Sequence, residues 1–339
     1  MRDKSSVTVG GSVTAGRAAG LALGALGVLG FSLSLPATRV AVQQLDPWFV
    51  AFGRAVGAAL LAGAYLHGVG ATRPTRDQWR RLSIVALGVV VGFPLFTSLA
   101  LLSQTSAHGA VVVTVLPAMT AVFAVLRAGE RPSPLFWAAS AGGMLAVLTF
   151  LGASGAVHGS LSLADLSLLA AVVLCGLGYA EGGALARQLG GARTICWALL
   201  LALPVTVPVT VLAGVIHPPR ADATTWSAFG YLTVVSMFLG FFAWYAGLAR
   251  GGIAHVGQVQ LAQPVLTLVW SALLLGERVT AASVAAAVAV LACVVVTQRS
   301  RLAGRPAGVG LFAALAPDEK EAYRPAPAER IVQPGAPGQ

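Results

Sequence analysis

The sequence predicts an all-α integral membrane protein of ten transmembrane helices built from two inverted five-helix repeats. Three observations carry that reading. Hydrophobic residues make up 57% of the chain and charged residues only 10%, against about 25% charged in soluble domains, and the mean hydropathy is +0.81. Apolar stretches long enough to cross a bilayer, about 20 residues each, recur ten times. The second half of the chain repeats the first at an offset of 147 residues.

Taken in order, residues 1–17 carry Arg2, Lys4 and Arg17 among serines and glycines and read as a disordered cytoplasmic tail. Spans follow at 18–38, 47–68, 82–103, 108–127 and 133–153, which together form a first repeat over 18–153. Residues 82–126 contain no Asp, Glu, Lys or Arg, and the polar break Ser103-Gln104-Thr105-Ser106 divides them into two spans. An external linker occupies 154–164, and a second repeat over 165–298 holds spans at 165–187, 192–214, 226–249, 253–275 and 279–298. Residues 299–339, with six prolines and mixed charges, read as a disordered cytoplasmic tail. The spans lack the polar–apolar alternation of a membrane barrel. The first is too long for the apolar core of a signal peptide and is expected to be retained.

Lys and Arg placement sets the orientation. With the N-terminus in the cytoplasm, inside segments hold 15 Lys and Arg, and outside loops hold only Arg39, Arg220 and Arg278. Both termini are therefore expected in the cytoplasm of a cell (inner) membrane. The formal charge of +10 reads as topology information and not as a nucleic-acid surface. Cys175, Cys196 and Cys293 lie far apart in apolar runs and read as packing residues.

The repeat is specific. Trp79 aligns with Trp226, Ala107-His108 with Ala254-His255, Pro117 with Pro264, and Gly129-Glu130-Arg131 with Gly276-Glu277-Arg278. Over 107–131 against 254–278, 10 of 25 positions are identical. Each half has five spans, so the second enters the membrane from the opposite side, an architecture that puts a binding site at the repeat interface. The mid-helix proline followed by a terminal Gly-Glu-Arg, at Pro117–Arg131 and Pro264–Arg278, resembles the EamA domain of the drug/metabolite transporter superfamily. Arg54, within Trp48-Phe49-Val50-Ala51-Phe52-Gly53-Arg54, resembles that family's second-helix arginine. The resemblance covers about residues 18–298 and implies a transporter of amino acids, other metabolites or drugs. The second half departs from it, with Ala202 where the equivalent of Arg54 would stand.

Several residues are candidates for the transport site. Pro117 and Pro264 each lack an N–H and free a carbonyl one turn earlier, so matching breaks point to the binding region; an ordinary packing kink is the alternative. Gln260 and Gln263 are about 60° apart on the helical wheel and can line one wall, with Gln258 off that face; interhelical hydrogen bonding is the alternative. Trp244, Tyr245 and Tyr179 are cavity candidates, with Trp244 preferred as a flat wall and Phe241 assigned to packing. Glu181 and Arg54 are charges within spans, at depths about 14 Å apart along the helices and so too distant to pair. Glu181 either takes a proton or snorkels to the interface; Arg54 either braces helix ends or attracts an anion. Glu130 and Glu277 read as structural interface residues, whose unfavourable place at a helix C-terminus needs an arginine or a neighbouring helix N-terminus. His108 and His255, on opposite faces, cannot share a metal and read as interface residues.

No HExxH, GxSxG or clustered His and Asp occurs, so no catalytic residue, metal or cofactor is expected. No Walker A motif occurs either, so ATP does not drive the protein directly. A channel would call for rings of charge or a carbonyl filter, and neither is visible. The leading expectation is a secondary transporter that exports small organic metabolites, with the lipid bilayer and a small-molecule substrate as partners. Multidrug efflux on the same fold is the alternative.

Overall fold

The structure, a computed structural model, describes residues 7–130 and 162–277 together with scattered positions at 133–145 and 281–292. Among the described residues there are eight helices long and apolar enough to span a membrane and no strand. They are α1 (Ala18–Ala41), α2 (Pro47–Gly68), α3 (Arg76–Ala100), α4 (Ser106–Ala128), α5 (Leu163–Leu189), α6 (Gly191–Ile216), α7 (Ala223–Gly251) and α8 (Ile253–Leu275). The expected fifth and tenth spans lie largely outside the described residues, as do most of the 154–164 linker and all of 299–339. The first helix runs from Val7 to Ser32, starting ahead of the span that begins at Ala18. Extending a helix that the spanning segment already nucleates adds one hydrogen bond per residue, and no proline interrupts 7–17.

Local chemistry sets the helix ends. The Asp46 carboxylate accepts from the N–H groups of Trp48 and Phe49 at 2.9 and 3.1 Å, with Pro47 opening α2. Thr75 with Gln78 and Ser162 with Asp165 form capping boxes at the starts of α3 and α5. Both α4 and α8 end on a left-handed glycine, Gly129 at φ +66° and Gly276 at φ +63°. That conformation suits a residue without Cβ.

The helices of the two halves pair across the molecule. The second helix of one half, α2, packs on the second of the other, α6, and α4 packs on α8. The first helix of each half packs on the third helix of the other, α1 on α7 and α5 on α3. Glycine makes the α1–α7 contact a backbone approach. A Cβ on Gly20 would lie 2.7 Å from the Gly251 nitrogen, and one on Gly247 would lie 2.7 Å from the Gly24 nitrogen. Small residues four apart permit such closeness between membrane helices.

Backbone irregularities also match. In α3 the stretch Ala86–Gly92 winds as a π-helix, and in α7 Leu232–Leu239 does the same. The helix α4 breaks between Val113 and Leu116, just ahead of Pro117. In α8 the stretch Gln258–Leu261 tightens to a 3₁₀ turn before Pro264. A proline cannot donate to the carbonyl four residues back, that of Val113 for Pro117 and of Gln260 for Pro264, and in each helix the irregular turn adjoins or contains that residue.

Candidate functional site

Between the halves lies a cavity of ≈ 20 Å³ whose walls come from six helices. Phe31 and Ser34 come from α1, Arg54 from α2, and Val89 and Phe93 from α3; Cys175 and Tyr179 come from α5, Ser236, Met237 and Phe241 from α7, and Gln260 and Gln263 from α8. A space of this size holds about one water. Both π-helical stretches contribute to it, through Val89 and through Ser236 and Met237; such segments are frequent at functional sites. The walls combine aromatic surface with polar groups. Ser34 and Ser236 share a hydrogen bond of 2.7 Å, and the Gln260 amide donates to Gln263 Oε1 at 3.4 Å. The Nε of Arg54 and the Oε1 of Gln260 are buried without a hydrogen-bond partner.

Polar clusters close both ends of the bundle. At one end the buried Glu181 takes Arg81 on Oε1 and Arg127 on Oε2, the latter at 2.9 Å. Beside it Glu130, at the end of α4, accepts from the N–H groups of Ile253 and Ala254 at 2.9 and 2.8 Å, which start α8. Arg187 donates to the same carboxylate at 2.8 Å. At the other end Glu277, just past α8, accepts from the N–H groups of Ser106 and Ala107 at 3.1 and 3.0 Å and from the Ser106 hydroxyl at 2.9 Å. Each fourth helix thus caps the start of its counterpart, which requires α4 and α8 to run antiparallel. His108 bonds Asp165 at 2.8 Å on the Glu277 side. Nearby, the Gln44 amide donates to Asp222 at 2.9 Å. The carboxyl of Asp222, which caps α7, is held below the usual carboxylate range by the Thr225 N–H and then by Gln44.

The EamA-like transporter family profile matches residues 18–152 and again 162–298. The chain belongs to the EamA-like transporter family. It is 46% identical over 284 residues to the Bacillus subtilis (strain 168) protein named uncharacterized transporter YdeK, covering 81% of this chain and 96% of that one. It is 22% identical over 247 residues to an uncharacterized transporter of Archaeoglobus fulgidus, covering 71% and 83%. A solved crystal structure matches 85% of this chain and all of its own at a TM-score of 0.64 and 18% identity, a likeness of fold. The protein is a membrane-embedded transporter of two EamA repeats.

Within this EamA-like transporter the residues singled out from sequence divide. Gln260, Gln263, Tyr179 and Arg54 meet on the cavity wall, and Gln258 does not line it. Trp244 and Tyr245 stand behind the wall, both fully buried. Trp244 fills the groove that Gly24 and Gly27 open in α1, 5.2 Å from the Tyr179 ring. Tyr245 lies over Gly182 and donates to the Gly178 carbonyl at 3.1 Å. Phe241, assigned to packing from sequence, is the aromatic residue of α7 that reaches the cavity. The reversal follows from the α1 glycines, which draw the larger ring of Trp244 toward α1. Glu181 lies off the cavity and pairs with Arg81 and Arg127, not with Arg54. Sequence reasoning overlooked Ser34 and Ser236. Neither stands out by composition, since α1 also holds Ser32 and Thr38 and α7 also holds Thr224, Thr225, Ser227 and Thr233. Arg81 and Arg127 entered the sequence reading only among the inside Lys and Arg that set the orientation.

Proposed function

We propose that this protein is a secondary transporter that moves small organic metabolites, amino acids or similar compounds, across the cell (inner) membrane by alternating access. The carrying observation is the cavity between the halves, lined by both polar and aromatic side chains and built from the first, second and third helices of one and the first, third and fourth helices of the other. In our reading the chain forms ten helices in two inverted five-helix repeats, 18–153 and 165–298, with both termini in the cytoplasm. The pairing of second with second, fourth with fourth and first with third helices is what a two-fold axis in the membrane plane would produce. The excess of 15 inside against three outside Lys and Arg supports the orientation.

Gln260, Gln263 and Tyr179 are assigned to hydrogen-bonding the cargo, and Pro117 and Pro264 to holding the irregular backbone beside it. Glu130 and Glu277 are assigned to fixing the two fourth helices end to end. Glu181, held by two guanidiniums, is assigned to closing one end of the path and not to carrying a proton. The export direction rests on the resemblance to exporters of the superfamily.

Metabolite profiling of the medium on overexpression identifies the cargo, and uptake of that cargo into proteoliposomes with and without a pH gradient then measures transport. Gln263→Leu, which takes the residue of its repeat mate Leu116, should insert normally and lose about 2- to 13-fold in affinity. Unchanged affinity at normal protein level would overturn the assignment of the cavity.

A further inference from the structure

Arg54 is 2% exposed, lines the cavity and has no ion pair among the described residues. The acidic residues of the described bundle are engaged elsewhere or lie away from it. Glu181 holds Arg81 and Arg127, Glu130 holds Arg187, Asp165 and Asp46 meet His108 and His217, and Asp222 meets Gln44. Glu277 caps α4, and Asp77 is exposed at the start of α3. A guanidinium buried in a spanning helix is costly without a counter-charge and marks an ion or substrate path. Its Nε has no acceptor. A buried cation whose N–H lacks an acceptor describes an absent accepting group, and accepting is all that an ionised carboxylate does.

We infer that the cargo carries a carboxylate-type anionic group that binds Arg54, and that its apolar body lies against the aromatic wall of Phe31 and Phe241. This rests on the cavity being the transport site. A guanidinium offers a planar donor fork that matches a carboxylate's two oxygens, and the aromatic surface favours an organic anion over an inorganic one. With only ≈ 20 Å³ in the closed cavity, binding requires the halves to part, so the ligand is taken up by an opened form. The single arginine also predicts a single carboxylate on the cargo, because Ala202 stands where a second guanidinium would come from the other half.

The test uses the purified full-length protein in lipid nanodiscs, with titration calorimetry and thermal shift. The probes are straight and branched monocarboxylates of two to eight carbons, each paired with its neutral amide, and sodium chloride as the inorganic control. The expected result is that at least one carboxylate binds about ten-fold or more tightly than its amide, and that Arg54→Gln abolishes this difference. A second reading is independent of ligand. Because an unpaired buried charge is removed, Arg54→Gln without ligand should unfold at the same or a higher temperature than wild type, whereas a structural brace would leave it less stable. Equal binding of acids and amides, binding of chloride alone, a carboxylate preference that survives Arg54→Gln, or no binding by any carboxylate overturns the inference. Labelling of Cys175 from both membrane faces separates the two proposals. If it succeeds while the carboxylate results fail, the transport site stands and only the anion assignment falls.

Discussion

Glu130→Ala removes one of the two carboxylates that tie the fourth helices end to end, and its cost can be worked from the contacts. The carboxylate takes two backbone N–H groups at 2.9 and 2.8 Å and Arg187 at 2.8 Å. Hydrogen bonds to a charged group contribute about 1.5–3 kcal/mol each, while measured losses of a helix cap reach about 2 kcal/mol. The Arg187 side chain is 42% exposed, so that pair adds at most about 1 kcal/mol. Together these give a loss of about 2–4 kcal/mol. Glu130→Gln keeps one oxygen for one N–H but drops the charge, so about half the loss is expected. Glu277→Ala removes three bonds of similar length at the other end and should cost as much. Lying at opposite ends of α4 and α8, the two losses should add to within about 0.5 kcal/mol. The assay is equilibrium unfolding in mixed micelles, with the order wild type, Gln, Ala. A Glu130→Ala protein as stable as wild type would refute the capping argument.

Other outcomes are expected from the same contacts. Gly247→Leu forces α7 off α1, where a Cβ at this position falls 2.7 Å from the Gly24 nitrogen and 2.8 Å from the Gly20 carbonyl oxygen; it should cost about 1–3 kcal/mol, read as a lower unfolding temperature with normal membrane insertion. Glu181→Gln leaves Arg81 and Arg127 facing a neutral amide; their side chains are 21% and 44% exposed and can turn to water, so the loss should be about 1 kcal/mol, measured by the same unfolding. The depressed carboxyl of Asp222 favours the folded state above its unfolded pKa of 3.8, and this contribution is lost as pH falls through the lower folded value. Asp222→Ala should therefore flatten the unfolding temperature's dependence on pH below about 4; an unaltered acid limb would show that the cap carries none of it.

The sequence already held the eight described spans and the repeat, because length and apolarity alone make a span and because Pro, His and Gly-Glu-Arg recur at one offset. Gln260 and Gln263 were readable as a shared wall from helical spacing. That Glu130 and Glu277 need an arginine or a neighbouring helix N-terminus was readable too, but not which helix, since the partners are backbone N–H groups more than a hundred residues away in sequence and carry no residue signature. The exchange between Trp244 and Phe241 was hidden for a different reason. Which face of α7 meets the cavity depends on the glycines of α1, so the glycines of one helix decided the role of aromatics on another. Arg81 and Arg127 counted from sequence only toward the orientation, whereas their long side chains reach inward to Glu181.

The account turns on a central cavity that opens alternately to the two sides, and Cys175 reports on it directly. It is buried and lines that cavity. With Cys196 and Cys293 replaced by serine, a membrane-impermeant methanethiosulfonate reagent is applied to right-side-out and to inverted vesicles. Cys175 should react from both faces, and faster from the cargo-facing side when cargo is added. Reaction from one face only under every condition, or from neither while transport continues, would contradict alternating access through this cavity.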